Sequence, residues 1–356
     1  MSVVREKPEP LYLQIRAEIL RQLQEQKFHC LPSETSLCLH YGVSRPTVRK
    51  ALEVLVRDNF IVRKRGKGSF VQKPVERLPL LNNNILIVIP QGWHLVSGQG
   101  YLGQMMEGLF SAARDEHLEF TVTNYSPVAF ATRRKEFPSR VCLWISPEQE
   151  EKVAMEALAA RGYLVVALNR PVKHPQISYV SCDHQSGALA GTEILLQQGH
   201  TRVGFVSLVD GHSYLQQRYL GFLAAHRTRG LFPEDEFILH TDYDDQSIKN
   251  HLRNLLQQEK PPTGLFLADG AFQEPVLEVL TELKLKVPGD ISLVSFDEVQ
   301  GISEKYGITT IRQPLEEMSR KCIQHVLKAM QQGIPERFQV TLSPELVVRD
   351  SVARVR

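Results

Sequence analysis

The sequence predicts an α/β protein in which a large, two-lobed body follows a small helical head. Over most of the 356 residues, apolar runs of strand length such as "ILIVIP", "VCLWIS", "RVGFVSL" and "ISLVSF" alternate with helical patterns such as "QEPVLEVLTELKLK". Charge is also divided unevenly. Residues 1–77 hold 15 Lys and Arg against 8 Asp and Glu, a net +7, whereas the remainder holds 27 against 32, a net −5. A basic head on a mildly acidic body predicts that the head meets a polyanion.

The alternation in the body predicts βαβ units, and therefore mostly parallel sheets covered by helices on both faces. About 270 residues exceed what one ordinary sheet accommodates, so we expect two lobes separated by a cleft. Ligands of such folds bind outside the carboxyl ends of the strands, which places the expected ligand site in that cleft.

The head begins with an amphipathic helix whose apolar residues recur at four-residue intervals: Leu11, Ile15, Ile19 and Leu23. Ser33 is a good N-cap for a short second helix, and Gly42 permits the tight turn that follows it. Ser44 caps a third helix, with Pro46 in the first turn, where its missing N–H is not needed. The segment "FIVRKRGKGSFV" predicts a β-hairpin with a basic turn.

Three helices followed by a hairpin predict a winged helix-turn-helix domain. Its third helix would enter the DNA major groove, and its hairpin would lie along the backbone or the minor groove. Arg45 and Arg49 lie one turn apart, within reach of phosphates or guanine edges, while an apolar stripe holds the helix on its domain: Val48, Leu52 and Leu55. A solvated basic helix beside an incidental charged turn is the alternative interpretation.

The stretch "LPSETSLCLHYGVSRPTVRKALEVL", with "RKRGKGSFV" at the expected distance, closely resembles the DNA-binding domain of the GntR family over about residues 8–72. The resemblance implies DNA contacts on the third helix and at the hairpin tip: Ser44, Arg45, Thr47 and Arg49, then Arg65, Gly66 and Lys67. Many members carry a phosphate-binding arginine directly after "LPSE". Here that position is Thr35, whose hydroxyl is expected to keep a weaker form of the role.

Two prolines, several charges and three asparagines in "QKPVERLPLLNNN" predict a linker at residues 73–84, between a head at 1–72 and a body at 85–356. The body is similar to the LacI-family ligand-binding domain, a type I periplasmic-binding-protein-like fold, in "VSCDHQSGALAGTEILLQQGHTRVGFV", "VPGDISLVSFDE" and "ITTIRQPLEEM". A GntR-type head on a LacI-type body resembles the arabinose-repressor subgroup.

The LacI resemblance implies effector contacts from Arg218 and Asp297. A planar fork of donors and a carboxylate suit the adjacent hydroxyls of a polyol, although surface Arg and Asp residues are more often solvated or paired with each other. The family usually has Asn-Asp where this chain has Asp269-Gly270, so an acid replaces an amide at a further expected contact. Trp93, in the loop after the first strand of the body, either stacks on a sugar face or fills core.

Other signals indicate no additional chemistry. The stretch "GQGYLG" at residues 98–103 is a G-x-G-x-x-G, but the strand before it stops at Pro90 and no acid ends the next strand. The histidines and cysteines between residues 29 and 40 fit no common zinc spacing, and neither G-x-S-x-G nor H-E-x-x-H occurs. No apolar run approaches the roughly 18 residues of a membrane span, and the N-terminus lacks the apolar core of a signal peptide.

We therefore expect a cytoplasmic, ligand-responsive transcriptional regulator without a cofactor. It would be a repressor that binds double-stranded operator DNA as a homodimer and is controlled by a sugar or a related small molecule. We do not expect an enzyme. An α/β enzyme with a DNA-tethering head remains an alternative, and it would need a nucleophile, metal or cofactor constellation. A sugar-binding protein of the transport type is a second alternative, disfavoured by the basic head.

Overall fold

The computed structural model describes residues 10–25, 30–57, 61–64, 68–71, 83–89, 101–114, 116–124, 139–147, 149–209, 213–242, 244–332 and 337–355. The chain divides into two compact units, Met1–Leu78 and Pro79–Arg356. Several predicted site residues lie outside the described residues, together with most of the predicted linker: Arg65, Gly66, Lys67 and Trp93.

The first unit contains the predicted three helices and hairpin. They are α1 (Leu11–Glu25), α2 (Glu34–Tyr41), α3 (Arg45–Arg57), and the antiparallel strands β1 (Ile61–Lys64) and β2 (Gly68–Val71). The Ser33 hydroxyl accepts a hydrogen bond from the Ser36 N–H at 3.1 Å, as the predicted N-cap requires. Gly42 ends α2 in the left-handed conformation, with φ of 64°.

The core of the head is formed by the apolar stripes of its helices. Val48, Leu52 and Leu55 on α3 are buried, as are Ile15 and Ile19 on α1. Leu11, the first residue of α1 and of the predicted apolar stripe, is 52% exposed. Helical side chains lean toward the helix N-terminus, so the side chain of the first residue extends beyond the end of the packed stripe.

In its described residues, the second unit contains two six-stranded sheets, one in each lobe. The sheet of the first lobe has the order β13-β7-β6-β5-β3-β4, and all neighbouring strands are parallel. Its strands are β3 (Asn84–Val88), β4 (Glu119–Thr123), β5 (Val141–Ile145), β6 (Leu164–Leu168), β7 (Ile177–Cys182) and β13 (Gln339–Leu342). It is packed by α4 (Tyr101–Ala113), α5 (Lys152–Ala160) and α10 (Leu315–Gln332).

The sheet of the second lobe has the order β14-β12-β11-β10-β8-β9, and only β14 runs antiparallel to its neighbour. Its strands are β8 (Val203–Leu208), β9 (Ile238–Thr241), β10 (Gly264–Leu267), β11 (Ser292–Phe296), β12 (Thr309–Arg312) and β14 (Glu345–Val347). Its helices are α6 (His184–Gln197), α7 (Ser213–Thr228), α8 (Asp245–Leu256) and α9 (Gln273–Glu282).

Strand β3 shows why these strands are continuous apolar runs. Ile85 and Ile87 enter one core with α4 and α10, whereas Leu86 and Val88 enter a second core with α5 on the opposite face. Successive side chains of a strand point to opposite faces, so a sheet covered on both sides needs apolar residues at every position. The predicted parallel, doubly covered sheets are confirmed.

Over its described residues, the chain passes between the lobes three times. It crosses after β7, after β12 and after β13, because α6, α10 and β14 each pack in the lobe opposite to the strand that precedes them. Asp183, Gln313 and Pro344 lie at these crossings. The crossings after β7 and β12 leave the carboxyl ends of strands from each sheet, so these strand ends face a common cleft. Within the described residues, no helix is both long and apolar enough to cross a membrane.

Candidate DNA interface and effector cleft

The predicted DNA-contacting residues of the head lie around the start of α3. Ser44 directly precedes the helix, and its hydroxyl lies 2.8 Å from that of Thr47. Arg45 and Arg49 are exposed on the same helix that buries Val48. The local sequence explains this arrangement, because the left-handed Gly42 turns the chain and the apolar stripe fixes the rotation of the helix.

The arginines of α3 are held by the first turn of α2. The Thr35 hydroxyl accepts a hydrogen bond from Arg45 Nη2 at 3.1 Å. Glu34 accepts one from Arg49 Nη2 at 3.3 Å and another from Arg63 Nη2 on the hairpin. Partial burial alone would raise the pKa of Glu34, but hydrogen bonds and charges from Arg49 and Arg63 outweigh burial and lower it. Sequence reasoning identified Thr35 and missed Glu34.

In the body, three residues at strand ends have left-handed backbones although none is glycine. They are Ser146 after β5 (φ 46°), Asn169 after β6 (φ 71°) and Asp297 after β11 (φ 71°). Each one continues its sheet by one hydrogen bond, since its N–H donates to a neighbouring strand at 2.7–2.9 Å. Non-glycine residues in this conformation are unfavourable, and they concentrate at functional sites. They lie where the fold predicts the ligand.

Arg218 organises the second-lobe side of this cleft. Its side chain is 1% exposed, and its Nη1 donates to Asp297 Oδ2 at 3.0 Å and to the Ala268 carbonyl at 2.5 Å. Asp269 Oδ2 lies 3.8 Å from the same nitrogen. The guanidinium also lies 3.6 Å from the centre of the Phe296 ring. The predicted candidates Arg218, Asp269 and Asp297 therefore come together, and Arg218 and Asp297 are paired with each other.

Two titratable groups beside Arg218 are shifted. Burial and the charge of Arg218 lower the pKa of His184 well below its ordinary value. Because a guanidinium only donates, His184 Nδ1, 3.3 Å from Arg218 Nη2, accepts, and the ring proton lies on Nε2. Burial and the nearby charge of Asp297 raise the pKa of Asp269, and the attraction of Arg218 only partly offsets them. The carboxyl of Asp269 also caps a short helical turn, accepting from the Ala271 N–H at 3.0 Å.

The first lobe contributes a polar group that sequence reasoning missed. The Tyr101 hydroxyl lies 3.1 Å from the Ser146 hydroxyl and accepts a hydrogen bond from the Asn169 amide. Burial raises the pKa of Tyr101, and the negative charge of Asp297 raises it further. Gln313 donates to Asp297 Oδ1 at 2.5 Å.

Two buried acceptors in the cleft lack a hydrogen-bond partner among the described residues, namely Asn169 Oδ1 and Gln313 Oε1. A buried polar atom left unpaired costs about 1–3 kcal/mol, so each is a natural partner for a donor on a ligand. The sequence contains a simple signal that predicts both residues as cleft residues. Each follows an apolar strand run, in "LVVALNR" and "ITTIRQP", at the end where ligands bind. Asp183 does not belong to this group, because its side chain caps α6 by accepting from the Ser186 N–H at 3.0 Å.

Comparison with known proteins agrees with this division into head and body. Residues 11–71 match the family of bacterial regulatory proteins of the gntR type, and residues 192–352 match the periplasmic binding protein-like domain. An arabinose metabolism transcriptional repressor of Geobacillus stearothermophilus is 25% identical to this chain, over 99% of this chain and 100% of its own length. A repressor of the same description from Halalkalibacterium halodurans is 24% identical over 91% of both chains.

Solved structures share the fold. A transcriptional regulator named CelR, solved with cellobiose, superposes with a TM-score of 0.66 at 19% identity, covering 87% of this chain and 91% of its own. Fold, domain content and relatives define a DNA-binding transcriptional regulator. More particularly, the chain carries a GntR-type DNA-binding domain followed by a LacI-type, periplasmic-binding-protein-like domain, so both resemblances seen in the sequence are confirmed.

Proposed function

We propose that this chain is a cytoplasmic repressor, without enzymatic activity, that binds operator DNA as a homodimer and is controlled by a sugar in its cleft. Its head would extend over residues 1–72 and its body over 85–356, joined by a linker. The DNA contacts would come from Thr35, Ser44, Arg45, Thr47 and Arg49, and from the hairpin-tip residues 65–67. Names of the relatives support the repressor assignment, because two full-length relatives are called transcriptional repressors.

The polar groups of the cleft are the observation that supports a sugar as the ligand. Asn169 Oδ1 and Gln313 Oε1, the two buried acceptors that have no partner in the described part of the chain, suit a ligand rich in donors. Arg218, Asp269 and Asp297 add both donors and acceptors, and vicinal hydroxyls, which donate and accept, suit such a mixture. Two strained strand-end residues, Ser146 and Asn169, come from the first lobe, so a bound ligand would contact both lobes and favour one lobe arrangement.

The test is operator affinity with and without sugar. A duplex is first recovered from a random library with the wild-type chain, and its affinity is then measured with neutral pentoses, hexoses and sugar acids. An effective sugar should change operator affinity about 5- to 150-fold, the usual range of allosteric coupling. Arg218→Ala and Asp297→Ala should keep operator binding and lose the response, because each leaves a buried partner unpaired.

Two further variants make the result decisive. Tyr101→Phe removes one hydroxyl and keeps the aromatic ring, and it should weaken the response. Arg253→Ala removes a half-buried arginine that pairs with Glu282 at 2.8 Å, and it should respond as the wild type does. If the Arg218 and Asp297 variants respond at the wild-type sugar concentration, the cleft is not the effector site.

A further inference from the structure

One carboxylate in the head links three structural elements. Glu34, the first residue of α2, accepts from Arg49 on α3 at 3.3 Å and from Arg63 on β1. The recognition helix, which is α3, and the hairpin are therefore joined through a side chain that belongs to neither. Glu34 and Arg63 also line a cavity of about 400 Å³ between α2 and the hairpin.

Glu34 holds the two arginines, but both of them stay exposed to solvent. The Arg49 side chain is 57% exposed and the Arg63 side chain 41% exposed, whereas Glu34 is only 22% exposed. A guanidinium has five N–H donors in a rigid fork, so one bond to Glu34 leaves the group able to meet a phosphate or a guanine edge. The three charged groups together keep a net positive charge, so the surface they form still attracts a polyanion.

A bridge of this kind lowers the conformational entropy that the arginine side chains lose on binding DNA. Ordering a long, rotamer-rich side chain on binding is unfavourable, and a side chain already held in place avoids part of that cost. The benefit is realised only on a duplex whose groups match the held positions of both arginines. On any other duplex the bridge must break, or the arginines must bind with imperfect geometry. Affinity for random DNA instead depends mainly on total charge.

We propose that Glu34 is a positioning residue of the DNA interface, holding Arg49 and Arg63 in one relative geometry so that recognition helix and hairpin select the same duplex. Glu34 thereby contributes to sequence discrimination and lowers rather than raises overall affinity. The proposal rests on the DNA-binding function proposed above.

The experiment compares Glu34→Gln with Glu53→Gln in the full chain. Both substitutions remove one negative charge, and Glu53 is exposed on α3, the same helix as Arg49. Affinities are measured for the duplex that the wild-type chain recovers from a random library and for a scrambled duplex of equal composition. Both variants should bind the scrambled duplex more tightly, by similar factors. The affinity ratio is the affinity for the recovered duplex divided by that for the scrambled duplex. It should fall about tenfold for Glu34→Gln and stay at the wild-type value for Glu53→Gln.

A second measurement separates positioning from a structural role. In chains that also carry Arg49→Ala and Arg63→Ala, Glu34 has no arginine to hold. Glu34→Gln should then no longer change the affinity ratio. A drop that persists in this background would show that Glu34 acts through the fold of the head and would overturn the proposal. Equal ratios for the Glu34 and Glu53 variants would overturn it as well. If the wild-type chain itself does not discriminate between the duplexes, the proposed DNA-binding function fails instead.

Discussion

Asp269 shows how a single residue alters the balance of charge in the cleft. The Arg218 guanidinium faces two carboxylates, Asp297 at 3.0 Å and Asp269 at 3.8 Å, so one arginine serves two acids. Burial and Asp297 raise the pKa of Asp269. A raised pKa in the folded state means that folding favours the protonated form. The stability that the protonated Asp269 contributes is present below the ordinary pKa of an aspartate, and it is lost as pH rises through the raised pKa of the folded state.

We therefore predict that Asp269→Asn melts at a higher temperature than the wild type at pH 7.5, with the difference vanishing below the ordinary aspartate pKa. Asparagine keeps the cap of the helical turn, because it caps as well as aspartate does. Thermal unfolding across this pH range measures the effect. Asp183→Asn is the matched control, since the Asp183 side chain also caps a helix by accepting from a backbone N–H. A variant that is no more stable than the wild type at pH 7.5 would contradict this account of the charges.

Helices α6 and α7 illustrate how packing of elements positions the cleft residues. His184 begins α6 and Arg218 lies in α7, so their contact depends on the distance between the two helices. Gly221 sets that distance. A Cβ built on it would lie 2.2 Å from the Gln185 carbonyl oxygen and 2.9 Å from the Leu189 nitrogen, and both are backbone atoms that cannot rotate away.

Gly221→Ala should accordingly destabilise the body by about 2–3 kcal/mol, in the range of overpacked cores. It should also weaken the sugar response, because separating the helices moves Arg218 away from His184. Urea unfolding and operator affinity with sugar are the two measurements. Gly289→Ala is the control, because its Cβ would meet nothing closer than 3.5 Å. Equal stability of the two alanine variants would show that α6 and α7 can separate at little cost.

At the scale of the whole molecule, buried histidines make the body sensitive to acid. Burial lowers the pKa of His184, His200 and His226 from the ordinary value of 6.5. His200 joins three segments, since its ring nitrogens lie 2.9 Å from the Thr263 and Ser292 hydroxyls and 3.0 Å from the Ala353 carbonyl. His226 donates through Nδ1 to the Phe222 carbonyl at 2.9 Å, while its Nε2 is buried.

The stability of the body should therefore decrease as pH falls below 6.5. A lowered histidine pKa contributes stability that is present above the unfolded value and lost as pH falls toward the folded one. Each such histidine adds a slope of up to about 1.4 kcal/mol per pH unit. Urea unfolding from pH 7.5 to 5.0 measures the slope, and His226→Gln should reduce it. His251→Gln, at an exposed position, is the control. An unchanged slope in the His226 variant would show that His226 stays neutral in both states.

The sequence by itself determined the features that depend on local pattern. Caps and four-residue spacing predicted the helices of the head, and the position of Arg49 followed from the stripe that buries Leu52 and Leu55. Continuous apolar runs predicted strands covered on both faces. Arg218 and Asp297, 79 residues apart, were matched through a family resemblance, and the structure places them 3.0 Å apart.

Only the tertiary structure decided which distant polar residues share a site. Glu34 is an ordinary first-turn acid in the sequence, and it becomes a bridge because α3 and the hairpin fold against the start of α2. Tyr101 meets Ser146 and Asn169 at the ends of the neighbouring strands β5 and β6, and Gln313 meets Asp297 at the ends of the neighbouring strands β12 and β11. Periodicity and caps act over one or two turns of chain. The adjacency of strand ends depends on the order of strands in each sheet, which no local pattern specifies.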